Sequence, residues 1–185
     1  MPLCYGGGVK TVEQAARIIG LGAEKVAISS AAIDDPELIV RLAEVLGSQS
    51  IVVVLDVRRT SAGGEYEVWR DNARKPTGFS PFALAQDMAS RGAGEIVINS
   101  IDKDGEMSGY DIELMSRIRD CVSVPITALG GAGSLNDIGA LIGKFVVIGA
   151  AAGSLFVFKG VYRAVLISYP SPSEKDSLIR SAGIA

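Results

Sequence analysis

The sequence predicts an α/β fold in which parallel strands and helices alternate in a β/α barrel. The first observation is a set of six short runs that are rich in β-branched residues and almost continuously apolar, as strands buried on both faces are. These runs are Pro2–Tyr5, Lys25–Ser29, Ile51–Asp56, Glu95–Ser100, Pro125–Leu129 and Phe145–Ala150. The second observation is that amphipathic segments lie between most of these runs. Strict alternation indicates a parallel sheet, which is either closed as a barrel or open and doubly wound.

An internal repeat favours the barrel over the open sheet. The segment 2–12 aligns without gaps on 125–135, and each copy holds a strand, a glycine turn and the start of a helix. The next strand ends in Ser30 in the first copy and in Ser154 in the second. A barrel made of two similar halves would show this pattern, because closure of the sheet sets equivalent units opposite each other.

The helices begin with capping residues. Asp35 and Pro36 precede one apolar-periodic segment, and Ser80 and Pro81 precede another, which is typical of a helix N-terminus. One segment breaks the alternation, because residues 58–77 contain a glycine pair followed by alternating polar and apolar residues. This pattern predicts a β-hairpin in the loop after Asp56. We expect a single domain over residues 1–185 with this one excursion.

The two glycine turns are candidate phosphate sites. Gly6–Gly8 and Gly130–Gly133 each follow a strand and lead into a helix, at Thr11 and Ser134 respectively. Glycines there let backbone N–H groups approach an oxyanion closely, and a helix N-terminus adds positive potential. The alternative interpretation is that the glycines only permit tight turns. Two matching copies, each followed by a hydroxyl, favour phosphate binding and predict an elongated ligand with two phosphates.

Carboxylates are the candidate acid/base groups. Asp56 ends an apolar strand and therefore lies at the C-terminal rim, where barrels of this type carry their chemistry. It would act as a general acid or base, or it would pair with Arg58 or Arg59. Asp102 and Asp104 in the loop after the next strand would contact a ligand or form a plain turn. The chain has no histidine, which excludes Ser-His-Asp and Cys-His catalytic groups and argues against a zinc site.

Composition narrows the range of partners. A net charge of -3 and a pI near 5.1 argue against the positively charged surface that binding to nucleic acid or an anionic membrane requires. Every apolar run is interrupted before it could span a bilayer. Cys4 and Cys121 adjoin apolar runs and are interpreted as small buried residues, which fits a reducing cytoplasm. We expect a cytoplasmic protein that needs no metal or cofactor and binds neither nucleic acid nor membrane.

The run Gly92–Asp111 closely resembles the cyclase subunit of imidazole glycerol phosphate synthase, an enzyme of histidine biosynthesis. The resemblance extends from the first residue to about Lys159, and it is also carried by Tyr5–Val9, Lys25–Ala32, Gly47–Asp56 and Leu129–Gly133. The sister isomerase of the same pathway shares the barrel, but its loop corresponding to 92–111 differs. The resemblance implies a parallel (β/α)8 barrel of the TIM type that here lacks its first two β/α units, with six strands present.

The resemblance also implies an activity and a set of site residues. The family uses ammonia from a glutaminase partner to cleave and cyclise a phosphoribulosyl-formimino aminoimidazole carboxamide ribonucleotide, which carries two phosphates. By motif, Asp56 corresponds to a general acid/base, and Lys25 corresponds to a lysine at the ammonia entrance, at the far end of the barrel. One implied phosphate site comprises Gly8, Ser29, Ser30, Asp104 and Gly105, and the other comprises Gly131, Gly153 and Ser154.

The sequence departs from the family pattern in several places. Ser29 stands where an amide side chain is usual, and Leu129 stands where a small polar residue is common. The family's other catalytic aspartate lies on the first strand, whereas this chain begins at what resembles the third. A barrel remnant that only binds a partner or a phosphorylated ligand is therefore an alternative to a catalyst. Open edges at the strands 2–5 and 145–150 would favour self-association. The tail 153–170 resembles a branch associated with amidation of surface-polysaccharide sugars.

Overall fold

The computed structural model describes residues 2–60, 64–160 and 162–183. Within them the strands are β1 (Cys4–Gly6), β2 (Lys25–Ile28), β3 (Ile51–Arg59), β4 (Tyr66–Arg70), β5 (Lys75–Pro76), β6 (Glu95–Ser100), β7 (Ile126–Leu129), β8 (Gly149–Ala150), β9 (Phe158–Lys159) and β10 (Ala164–Val165). Six of these form the central sheet in the order β1-β2-β3-β6-β7-β8, and every neighbouring pair is parallel. The sheet curls into a half-barrel, which confirms the predicted fold class of a partial β/α barrel.

Helices connect the strands and pack on one face of the sheet. They are α1 (Val12–Gly20), α2 (Ser30–Asp34), α3 (Glu37–Leu46), α4 (Pro81–Ser90), α5 (Ile112–Cys121), α6 (Leu135–Phe145), α7 (Ser154–Val157) and α8 (Pro172–Ser181). Ile51, Val53 and Leu55 of β3 are buried in one core with helical residues such as Leu38. Successive side chains of a strand alternate between faces, so Asp56 lies on the opposite, concave face. No helix in the described ranges is long and apolar enough to cross a membrane.

The helix starts show why these segments are helical. Thr11 accepts a hydrogen bond from the backbone N–H of Gln14 at the start of α1. Ser134 and Asp137 form a reciprocal capping box at the start of α6, so two N-terminal backbone donors are satisfied. Ser80 lies at the N-cap position of α4, but its hydroxyl makes no cap hydrogen bond. The proline that follows it suits the first turn without a side-chain cap.

The segment after Asp56 continues the sheet as an antiparallel ribbon. β3 runs on to Arg59 and pairs with β4, with Asp56 opposite Trp69, and β4 pairs in turn with β5. Residues 61–63 of the predicted hairpin lie outside the described residues. The Tyr66 hydroxyl lies 3.0 Å from both carboxylate oxygens of Asp111, the N-cap of α5. Burial and this carboxylate raise the pKa of Tyr66 above its ordinary value, and the contact ties the ribbon to the loop after β6.

The two edge strands differ from their sequence predictions. The last predicted strand, 145–150, is shorter, because Phe145 ends α6 and only Gly149–Ala150 pairs with β7. The prediction that Cys4 is buried is wrong: its side chain is exposed, and Cys121 is only partly buried. The reason is that β1 is an edge strand and all three of its residues are exposed in the described part of the chain.

Candidate functional site

The carboxyl ends of parallel strands meet at one rim of the half-barrel, and nearly all of the predicted site residues lie there. Asp56 is near the end of β3, whereas the predicted phosphate residues follow β1, β2, β6, β7 and β8. Lys25 is the exception. It begins β2 and therefore lies at the amino ends of the strands, on the far side of the sheet from the rim.

Asp56 is held by a neighbour in the sheet. Asp56 and Asn99 are register partners on β3 and β6, and Asn99 Nδ2 donates to Asp56 Oδ1 at 2.9 Å. The other carboxylate oxygen accepts no hydrogen bond within the described residues. Asn99 Oδ1 is buried and has no partner in the same part of the chain. The pair therefore offers a ligand one free carboxylate oxygen, which belongs to Asp56.

The arginines that follow Asp56 are engaged elsewhere. Arg58 pairs with Asp102 at 3.4 Å and stacks over the Trp69 ring. The backbone N–H of Arg59 donates to Asp102 Oδ2 at 2.8 Å, and its guanidinium pairs with Glu113. Asp102 therefore joins the loop after β6 to β3, which is a structural role. No ion pair to Asp56 occurs in the described ranges, so its carboxylate remains open to the concave face.

The first glycine turn lies between β1 and β2. Gly6 pairs with Ala27 on β2, and Gly8 and Ser29 follow these two neighbouring strands at the rim. Gly8 has φ +74°, a left-handed conformation that favours glycine, and open space surrounds the position that a Cβ would take. Ser30 Oγ accepts a hydrogen bond from the Asp71 backbone N–H at 3.0 Å. The Ser30 hydroxyl thus keeps its own proton free to donate to a ligand.

The second glycine turn forms one side of a depression in the rim. The depression is lined by Asp104, Gly105, Leu129, Gly130, Gly131, Ala132, Ala152, Gly153 and Ser154. Asp104 and Gly105 therefore lie with Gly131, Gly153 and Ser154, which is a different grouping from the one that the resemblance implies. Strand order explains it, since β6 neighbours β7 and is two strands away from β2.

The glycines of the second turn have a steric role of their own. Gly131 has φ +108°, and a Cβ there would lie 2.2 Å from the carbonyl oxygen of Gly109. Gly109 N donates to Gly131 O at 2.8 Å, so the loop after β6 lies directly on the turn after β7. Only glycine permits this approach. The close packing leaves backbone donors of the depression unused, because no acceptor within the described residues occupies the N–H of Gly131, which is buried, or of Gly153, which is exposed.

The far end of the sheet carries a polar cluster around Lys25. Its Nζ lies 2.6 Å from Glu95 Oε2, and Thr127 Oγ1 donates to Glu95 Oε1 at 2.7 Å. Sequence reasoning identified Lys25 but missed Glu95, Thr127 and also Asn99. The signal that was available is that each of these is a polar residue within an otherwise apolar strand. Their partners become visible only when the register of the sheet is known.

A partial parallel β/α barrel with its polar groups and glycine turns on the C-terminal rim belongs to the class of barrels that bind small ligands at that rim. The chain is a member of the histidine biosynthesis family, whose sequence profile, described as "Histidine biosynthesis protein", matches residues 1–163. This match confirms the family, and the names of the relatives below confirm the resemblance to the cyclase subunit.

Several relatives are similar over most of this chain. A protein of Vibrio vulnificus, named "Putative imidazole glycerol phosphate synthase subunit hisF3", is 53% identical over 179 residues, which are 97% of this chain and 69% of that protein. One of Leptospira interrogans, named "Putative imidazole glycerol phosphate synthase subunit HisF", is 49% identical over 96% of this chain and 70% of its own length. The "Imidazole glycerol phosphate synthase subunit HisF" of Alkaliphilus metalliredigens is 42% identical over 87% of this chain and 64% of its own length.

Proposed function

We propose that this chain is the cyclase subunit of an imidazole glycerol phosphate synthase in histidine biosynthesis, and that a glutaminase partner supplies its ammonia. The proposal is supported by the membership of the family and by the names of the relatives. The single structural observation that carries it is the position of the hydrogen-bonded Asp56–Asn99 pair midway between the two glycine turns.

The spacing along the rim suits a ligand with a phosphate at each end. The first turn lies between β1 and β2, the second lies between β7 and β8, and the Asp56–Asn99 pair joins β3 to β6. Neighbouring strands are about 4.8 Å apart, so about 10 Å along the sheet separates the pair from either turn. A bisphosphorylated ribonucleotide that spans both turns would have its middle over Asp56.

The Asp56 carboxylate is suited to general acid/base chemistry. Ammonia must lose protons as its nitrogen forms new bonds, and the leaving group of a C–N cleavage must gain one. Asn99 holds one oxygen of the carboxylate in place, which leaves the other to accept and return a proton. The free Asp56 oxygen would accept an N–H or O–H of the ligand and would so orient the reacting part of the substrate.

The cluster around Lys25 supports an ammonia entrance and a partner surface at the far end of the barrel. Lys25, Glu95 and Thr127 are joined by short polar contacts on the concave face. A neutral molecule such as ammonia that passed this cluster would reach Asp56 along the inside of the sheet. The glutaminase would then dock at the amino ends of the strands, opposite the substrate rim.

Turnover by an Asp56→Asn variant tests the proposal. The chain would be produced preceded by the first two β/α units that the resemblance implies for the family, because the resemblance assigns the second catalytic aspartate to the first strand. With ammonium salts and the bisphosphorylated ribonucleotide, turnover should fall by ~100-fold or more, the scale of a general acid/base contribution. Substrate affinity and the melting temperature should stay nearly unchanged, since the side-chain volume is conserved.

Asp120→Asn is the matched control, because Asp120 is exposed near the end of α5 that lies away from the rim. Its turnover should equal that of the parent. Parent-like turnover in Asp56→Asn would refute the acid/base role. A parent protein that binds the ribonucleotide but never turns it over would favour the binding-only alternative.

A second candidate function is favoured by the tail 153–170, whose sequence resembles the branch associated with amidation of surface-polysaccharide sugars. In that role the same ammonia route would serve a different acceptor. Growth of a bacterium that lacks its own cyclase subunit, on medium without histidine, distinguishes the two. Rescue by the extended chain supports histidine biosynthesis, whereas a folded, phosphate-binding protein that fails to rescue growth points to the other acceptor.

A further inference from the structure

An arginine after β8, the last strand of the half-barrel, contacts the lining of the depression at the second glycine turn (the second depression). Arg163 lies in the turn between β9 and β10, and its Nη2 donates to the carbonyl oxygen of Gly105 at 2.7 Å. Gly105 is part of the depression lining, on the loop after β6. The segment after β8 therefore contacts the lining of this depression at the loop after β6.

The segment that carries Arg163 is fixed to the other wall. α7 begins at Ser154, and β9 follows α7 without a break. The N–H of Leu166 donates to the Val157 carbonyl at 2.9 Å, and the N–H of Ser168 donates to the Phe156 carbonyl at 2.8 Å. The depression is thus bracketed from Ser154 on one side to Arg163 and Gly105 on the other.

A phosphate bound in the depression would need a positively charged group nearby. Its lining contains one carboxylate, Asp104, and no basic residue. The neighbouring Lys103 turns to Ser108 Oγ, at 3.3 Å. A phosphate dianion in this lining would meet only the negative charge of Asp104 unless a positive group lay at its edge. Arg163 is the basic side chain whose contact with Gly105 brings it there.

Most hydrogen-bond donors of the Arg163 side chain are unused within the described residues. A guanidinium carries five N–H donors in a planar fork that matches two phosphate oxygens. Within the described residues, Arg163 uses its side chain for the Gly105 carbonyl alone and makes no ion pair. The remaining donors of the guanidinium are free for a ligand in the described part of the chain.

We propose that Arg163 is a phosphate ligand of the second depression, and that it donates to a phosphomonoester dianion held by the backbone of Gly131 and Gly153 and by the Ser154 hydroxyl. The proposal rests on the proposed function, in which this depression receives one end of the bisphosphorylated substrate. Arg163 offsets the charge of Asp104 and makes the site selective for a dianion.

Titration of inorganic phosphate into the 185-residue chain, followed by calorimetry, tests this role. Arg163→Ala should weaken binding by about tenfold or more, the scale of a lost hydrogen bond to a charged group, and should reduce the salt dependence of binding. Arg163→Lys should recover part of the affinity, because it restores the charge but not the fork. Ser154→Ala should weaken binding as well, because its hydroxyl is in the lining.

Arg180→Ala is the matched control. α8 runs in the same direction as α6, since Leu178 lies against Gly139 and Ala182 lies near Gly143. Arg180 is exposed near the end of α8, away from the rim. This variant removes the same charge from the chain, and its affinity should match that of the wild type. An equal loss in Arg180→Ala would mean that net charge alone is responsible, which would overturn the proposal.

The outcomes separate this inference from the proposed function. If Ser154→Ala loses affinity while Arg163→Ala keeps it, the Arg163 role is refuted and the phosphate site stands. If the wild type binds no phosphate, both fall. If Arg163→Ala loses affinity together with a lowered melting temperature, and Arg163→Lys restores only the melting temperature, the residue is structural and the proposal is again refuted.

Discussion

The polar cluster at the far end of the barrel gives a prediction whose size follows from its contacts. Glu95 accepts from Lys25 at 2.6 Å and from Thr127 at 2.7 Å. The Glu95 side chain is 17% exposed, whereas that of Lys25 is 37% exposed. Glu95→Gln conserves the volume and still offers Thr127 an acceptor, so the substitution removes mainly the ion pair with Lys25.

Two effects set the expected cost. A hydrogen bond to a charged group contributes ~1.5–3 kcal/mol, but an ion pair with an exposed partner contributes only ~0–1 kcal/mol. Because Lys25 is more than a third exposed and Glu95 is mostly buried, we expect a loss between these limits, about 1–2 kcal/mol in the free energy of unfolding. For a chain of this length the entropy of unfolding is about 0.4 kcal/mol/K, so the melting temperature should fall by about 3–5 °C.

A double-mutant cycle measured by thermal unfolding tests the reasoning. Lys25→Met and Glu95→Gln would be combined, and the coupling energy compared with that of Arg41→Met and Asp35→Asn. The control pair has the same 2.6 Å separation, but its side chains are 49% and 52% exposed. Its coupling should be within ~0–1 kcal/mol and below that of the less exposed Lys25–Glu95 pair. Equal coupling energies in the two cycles would refute the argument from burial.

Two further predictions concern the edge of the sheet and a buried tyrosine. The purified chain should self-associate as its concentration rises, because β1 is an edge strand in the described residues and Leu3 and Tyr5 are 50% and 46% exposed. Light scattering measures this, and a monodisperse monomer would contradict the prediction. Burial, together with the charge of Asp137, raises the pKa of Tyr110 to about 12 from an ordinary value of 10.0. The contribution of Tyr110 to the free energy of unfolding is therefore full below pH 10 and is lost as the pH rises towards 12. In urea unfolding between pH 10 and 11, the wild type should lose stability faster than Tyr110→Phe. Parallel pH profiles of the two proteins would contradict the raised pKa.

The strands and helices were predictable because their signals are local. In the apolar runs 51–56 and 95–100, buried residues face the helices. Thr11 caps α1, and Ser134 caps α6. Exposure of Cys4 was not predictable in the same way. A run of apolar residues has the same composition at the edge of a sheet as at its centre, and only the neighbouring strands decide which residues are covered.

The site was predictable in position but not in its contacts. The rim location of Asp56 follows from its place at the end of an apolar run. Its bond to Asn99 depends on the register between β3 and β6, which are separated in the chain by the antiparallel ribbon and α4. The same holds for Lys25 and Glu95, whose residue types indicate polar groups but whose separation in sequence gives no sign that they meet.

The internal repeat does not predict that Asp104 and Gly105 line the second depression. The repeat relates the turn between β1 and β2 to the turn between β7 and β8, but it carries no information about the strand on the far side of each turn. β6 lies beside β7, so its loop completes the second depression. No described strand lies on the outer side of β1, and the nearest addition to the first turn is Asp71, which donates to Ser30 from the antiparallel ribbon. Two turns that are equivalent in sequence are therefore unequal as sites in this chain, and the second has the more complete wall.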